Sequence, residues 1–206
     1  MDDTILNSDQ LDALKEIGNI GAGNAATALS QLVGKKILVN VPQADFIRID
    51  KMSVSSLSRD PQELSIAISF RILGVITGGM MVIFPQRSAL LLIDILYNRN
   101  LGTTEIFNIE DESALSECAS ILSCSYLNAI AQLLNLYQLI PSIRDTFIDQ
   151  FGKLTQVIIR RFIPEETNFL LPIENRLTVE GAEINVFVIF LLEPASMKKM
   201  LKTAGI

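Results

Sequence analysis

Apolar residues recur at helical spacing from Leu11 to Leu32, through Leu14, Ile17 or Ile20, Gly21, Ala25 and Ala28. That period predicts a long helix closed by Gly34. Ser8 stands ahead of it as a candidate N-cap, with Asp9 in the first turn. The period then shortens. Lys36–Val41 reads as a strand that stops at Pro42. Leu64–Leu73 and Val75–Phe84 are apolar, β-branched runs joined at Gly74, which predicts a hairpin. Ser88–Tyr97 reads as a short helix and Asn98–Thr104 as a polar linker. Asn108 caps a second long helix, with Glu110, Asp111 and Glu112 in its first turn. Strands follow near Leu139–Ile148, Leu154–Phe162, Asn168–Ile173 and Ile184–Leu192, and Pro194 opens a last helix that ends at Gly205.

The order helix–strand–hairpin–helix thus occurs twice, and the residues repeat with it. With a shift of 101, positions 13–32 and 114–133 agree at seven of twenty places, among them Glu16 with Glu117 and Ile20 with Ile121. The same shift sets Gly34 on Asn135, the two residue types best suited to the left-handed position past a helix end. Self-similarity of this length marks a duplicated supersecondary unit. The expected fold is α/β: an internally duplicated helix–strand–hairpin–helix unit, with a mainly antiparallel sheet, two long helices and a pseudo-two-fold. Two repeats, about 8–98 and 108–206, are expected to share the core of a single domain over 1–206.

Composition narrows the function. Hydrophobic residues make up 49% of the 206 and charged residues 19%, which is globular usage. A net charge of −6 without a basic stripe argues against a nucleic-acid partner. Apolar runs such as Val186–Leu192 are too short for membrane insertion, and Met1-Asp2-Asp3 lacks the basic start of a signal peptide, so a cytoplasmic protein is expected. There is no histidine, which rules out Ser-His-Asp and Cys-His chemistry within the chain. Cys118 and Cys124, six residues apart on one helix, point in different directions and read as two buried thiols. Gly18, Gly21 and Gly23 resemble a loose phosphate-binding fingerprint, but no strand precedes them and a helical pattern runs through them.

What remains is a helix face. Asp12, Glu16, Asn19 and Gly23 fall at i, i+4, i+7 and i+11, opposite the apolar stripe. A solvated polar face is the plain reading. Against it stand three glycines in one helix, each costing about 1 kcal/mol relative to alanine. Small residues beside a carboxamide also let a partner's backbone approach closely.

The pattern Asp12-x3-Glu16-x2-Asn19-x22-Pro42 resembles the signature of the CheC/CheX family, phosphatases of the chemotaxis response regulator CheY. Leu14–Ala28 is especially similar to CheC, and the likeness extends over both halves, including Met80–Pro85. The resemblance implies that the helix lies against phosphorylated CheY. Asn19 would orient the attacking water, Glu16 would pair with the regulator's lysine, and Asp12 and Pro42 would support the helix and the following strand. It implies no cofactor of the chain's own, with Mg²⁺ expected from the regulator. The second copy departs from the signature: Ser113 and Glu117 fit, Ser120 replaces the Asn, and the proline comes two residues early, at Pro141. That face is expected to be a degenerate site. The alternative is a non-catalytic CheC-like adaptor or scaffold binding CheY, CheD or flagellar switch proteins. By the same likeness the last helix, Ala195–Thr203 with Lys198, Lys199 and Lys202, is a candidate surface for CheD, a glutamine deamidase.

Overall fold

A computed structural model describes residues 8–44, 47–48, 60–136, 139–154, 156, 169–193, 195–196 and 199. The first long period becomes helix α1 (Ser8–Val33), and its close is as expected: Gly34 has φ +67° and its repeat counterpart Asn135 has φ +47°. Strands β1 (Ile37–Ala44) and β2 (Ile47–Arg48) follow, then the hairpin β3 (Leu64–Leu73) and β4 (Gly78–Pro85) and the helix α2 (Gln86–Leu96). The second half opens with helix α3 (Ile109–Leu133) and continues as β5 (Ile140–Gln150), β6 (Phe169–Val179) and β7 (Ala182–Leu192). Asn108 caps α3 with a full capping box: its side chain accepts from the Glu110 and Asp111 backbone N–H groups, and Asp111 accepts from the Asn108 N–H. No described helix is long and apolar enough to cross a membrane.

Among the described residues all the strand pairs are antiparallel, in the order β1-β6-β7-β4-β3-β5, with β2 beside β6. Exchanging β1 with β5, β3 with β6 and β4 with β7 reverses this order onto itself, which is the pseudo-two-fold. The axis runs through the β4–β7 pair, where Val82 faces Val188. Each half's first strand pairs with the other half's hairpin, β1 with β6 and β5 with β3.

Alternate residues of the strands pack under α1, α2 and α3, among them Ile66, Ile68 and Phe70 of β3, Val82 of β4 and Val188 and Phe190 of β7. Their neighbours Ala67, Met81, Ile83, Phe187 and Ile189 form a second cluster on the far face, with Phe151 and Leu154. Burial on both faces is why these central strands read as unbroken apolar runs.

Several boundaries differ from expectation. The hairpin's second strand starts at Gly78, because Gly74–Thr77 form the loop and Thr77 is tied to Glu193 and Ser196. Strand β1 does not stop at Pro42; the proline sits in an edge strand at a bulge between Asn40 and Gln43, where no ladder N–H is required. Strand β5 has its own bulge opposite Ser69/Phe70, without a proline. Pro141 instead faces Ile72 near the start of β5, so the two prolines are not structural counterparts. Leu154 lies in a helical turn, residues 151–154, which buries Phe151 and Leu154 against the far-face cluster; 157–162 lie outside the described residues. Leu32 is 43% exposed and Leu29 takes its place in the core.

The linker between halves is held by a buried carboxylate. Asp94 of α2 accepts from the backbone N–H groups of Gly102, Thr103 and Thr104 and from both threonine hydroxyls. Burial alone pushes its carboxyl up, but the bonds from Thr104, Gly102 and Thr103 outweigh that and hold it below the usual carboxylate range. Asp94→Ala should therefore cost about 2 kcal/mol or more in urea unfolding at pH 7. A depressed folded value means the ionised form's contribution is present above the ordinary pKa of about 3.9 and fades as pH falls through the lower folded value. The gap between the parent and this variant should accordingly narrow in unfolding curves recorded below about pH 4; a gap that widens there would contradict this role.

Candidate functional site

Helix α1 presents one solvent-facing row. Asp12, Glu16, Asn19 and Gly23 are all exposed, while Ile17, Gly18, Gly21, Ala22, Ala25 and Leu29 are buried behind them. Asp12 pairs with Lys15 at 3.1 Å, an exposed i,i+3 contact worth little in stability. Glu16 and Asn19 make no hydrogen bond or ion pair with any described residue. A carboxylate and a carboxamide thus stand free, one turn apart, on a rigid element. The amide offers two donors and an acceptor, and the carboxylate offers acceptors only.

The glycines divide by function. Gly18 and Gly21 face inward, so for them close packing is the reason and not access by a partner. A Cβ at Gly18 would lie 3.6 Å from Val41 of β1. One at Gly21 would come within 2.5 Å of Tyr126 Cδ1 in α3. Gly23 alone lies on the outer row, and a Cβ there would meet nothing within 4 Å. Val41 brings β1 against α1 beside the site, and Pro42 is its next residue; nothing is described of the Pro42 side chain. Sequence spacing does not reveal the contacts of Val41 and Tyr126. The only signal for them was the cost of glycine inside a helix.

Helix α3 repeats the row with different chemistry. Ser113 and Glu117 are exposed, as Asp12 and Glu16 are. Ser120 is half-buried, and its hydroxyl donates to the Ser116 carbonyl at 2.8 Å, which turns it back along the helix. In Gly23's place stands Cys124, which is exposed, contrary to the expectation of two buried thiols. The partial loss of water around its sulfur raises its thiol pKa, and Glu117 adds to that; Cys118, deep in the core, is pushed up to about 12 by burial and Glu117. Neither is primed as a thiolate. Among the described residues no group of three or more His, Cys, Asp or Glu is placed to hold a metal. Of the last helix, Lys199 is exposed, and Lys198 and Lys202 lie outside the described residues.

The CheC-like family matches residues 10–44, the span from the start of this row to the end of β1. Over 71% of the chain and 70% of the relative, the sequence is 38% identical to the CheY-P phosphatase CheC of Bacillus subtilis. The chain belongs to the CheC-like family. The fold of this CheC-like chain is that of the Thermotoga maritima FliY crystal structure, with TM-score 0.77, 18% identity and 98% of each chain covered. It is also that of the FliM middle domain from H. pylori, with TM-score 0.70, 13% identity, and 96% of this chain and 99% of that one covered.

Because Glu16 and Asn19 are exposed and free, removing them should leave the fold untouched. Glu16→Ala and Asn19→Ala should each unfold within about 0.5 kcal/mol of the parent in urea. A larger loss for either would mean that the side chain serves the fold rather than a partner.

Proposed function

We propose that this protein hydrolyses the aspartyl phosphate of the chemotaxis response regulator CheY, with α1 laid against the regulator's active site. The observation that carries the reading is the free, exposed Glu16/Asn19 pair on one face of α1, in a chain of the CheC-like family. The relative's name, CheY-P phosphatase, supplies the substrate.

The chemistry suits a chain without histidine. Phosphoryl transfer needs mainly positioning and charge neutralisation, and an acyl phosphate already has a good leaving group. The regulator brings the lysine and the Mg²⁺, which neutralises charge on the phosphoryl oxygens. Asn19 holds one water through its amide, in line with the phosphorus. Placing a reactant in the attack geometry supplies several kcal/mol of the barrier. Glu16 docks by pairing with the regulator's lysine, and the contact of Val41 on Gly18 keeps β1 and Pro42 behind the helix. Asp12, tied to Lys15, supports the first turns.

The second face binds without hydrolysing. Glu117 remains available, but Ser120 is shorter than an asparagine and its hydroxyl is already donated to Ser116. An adaptor reading draws on this face alone: were α1 also inert, the protein would act by binding only, whether to CheY, CheD or a flagellar switch protein.

Asn19→Ala should lower the rate of phospho-CheY hydrolysis at least about a hundredfold. Glu117→Ala combined with Ser120→Ala should stay within about threefold of the parent. Phosphate release from CheY measures both. A second-face double variant as inactive as Asn19→Ala would assign the chemistry to α3 and overturn this reading. Glu16→Lys should weaken binding to CheY carrying a stable phosphate mimic, since it sets like charges across the contact; unchanged affinity would remove Glu16 from docking.

A further inference from the structure

Among the described residues, Glu16 and Asn19 on the outer row of α1 have no partner in front of them, so the contacts that set their position are those behind the helix. Successive residues turn about 100° around a helix. Gly21, two residues after Asn19, therefore lies about 200° round, on the opposite side of α1 at nearly the same height. There it meets the ring of Tyr126: a Cβ at Gly21 would come within 2.5, 2.7 and 3.0 Å of three ring carbons. These are atoms of the rigid ring, next to its attachment, not the end of a flexible chain.

The ring is itself fixed. Tyr126 is fully buried, and its hydroxyl donates to Oδ1 of Asn175 in β6, which is also fully buried. The Asn175 amide donates in turn to the Ile173 carbonyl at 3.2 Å. Phe190 of β7 meets the ring edge-on, with centroids 6.1 Å apart and planes at 69°. The ring's tilt and height are therefore referred to the sheet rather than to α3 alone.

The repeat supplies an independent observation. With the shift of 101, Gly21 corresponds to Leu122 and Tyr126 to Ala25. The large-on-bare contact is made on one side of the pseudo-two-fold only. The helix that rests its bare backbone on the ring is the one that carries the asparagine.

We propose that Tyr126 is a positioning residue for Asn19: its ring, tied to β6 through Asn175, is the seat on which α1 rests at Gly21, and it sets how far the amide stands toward the partner. The proposal rests on the phosphatase reading above. A methyl group at Gly21 lifts α1 off the ring and carries Asn19 with it, and a displacement of about 1 Å costs on the order of a hundredfold in rate. Docking through Glu16 tolerates such a shift better, because an ion pair constrains geometry less than an in-line water does.

The test compares Gly21→Ala, Tyr126→Phe, Tyr126→Leu and the double variant Gly21→Ala, Tyr126→Leu, with phospho-CheY as substrate and circular dichroism to verify folding. Gly21→Ala should lower kcat at least about tenfold with KM within about twofold. Tyr126→Phe keeps the ring but cuts its tie to Asn175 and should fall between the parent and Tyr126→Leu, which loses the seat and should fall with Gly21→Ala. The double variant restores room for the methyl group and should recover much of kcat. A folded Gly21→Ala protein with parental kcat overturns the proposal, as does a change confined to KM; should Gly21→Ala not fold, parental kcat in Tyr126→Leu has the same force. Backbone hydrogen exchange across residues 17–23 reads the seat without the reaction: Tyr126→Leu should speed it at least about tenfold and Tyr126→Phe by less. Unchanged exchange in Tyr126→Leu overturns the seat; faster exchange in Tyr126→Leu together with a parent protein that releases no phosphate would instead overturn the phosphatase reading and leave the seat standing.

Discussion

The closeness of α1 to α3 governs much of what this molecule presents to solvent. Two helices approach within bare-backbone distance only where one lacks a side chain, and here that residue is Gly21, set against a tyrosine ring. A buried phenol is expensive unless its hydroxyl is bonded, and Asn175 supplies the partner. The contact thus fixes three elements at once: α1, α3 and strand β6. Gly18 against Val41 adds β1. With the back of the helix held at two neighbouring turns, Glu16 and Asn19 on its outer row stay exposed, with no partner among the described residues.

Duplication explains the rest of the architecture, and divergence explains its asymmetry. The palindromic strand order places each half's first strand beside the other half's hairpin, so the two repeats are knit through one sheet. Both edge strands carry a bulge at corresponding places, although only β1 has a proline there. The helices have diverged more. In α3 a serine that bonds its own backbone stands where α1 has an asparagine, and an exposed cysteine stands where α1 has a bare glycine. One copy keeps a side chain able to hold a water, and the other keeps only the carboxylate.

Much of this was legible in the residues because local chemistry decides it. Helix ends are set by Gly34, Asn135 and the Asn108 box, all short-range effects. The outer row followed from spacing alone, since a polar stripe opposite an apolar one has one orientation against a packed core. Long-range pairing was less legible. Pro42 suggested a strand end, yet an edge position at a bulge tolerates it, and edge status depends on which strand lies beside β1. The turn at Phe151–Leu154 looked like a strand because both residues are apolar; its form depends on the second cluster it covers. The inward direction of Gly18 and Gly21 was hidden for the same reason, because the partners are 23 and 105 residues away, at Val41 and Tyr126.

On the proposed reading, the carboxamide of α1 makes this family member a catalyst and not only a binder. The most direct measurement is the decay of the aspartyl phosphate on CheY with the protein present at a small fraction of the regulator's concentration. Decay should be faster, in proportion to the protein added and with many phosphates released per molecule. Decay at the regulator's own rate, with binding to phospho-CheY intact, would contradict that reading and leave an adaptor.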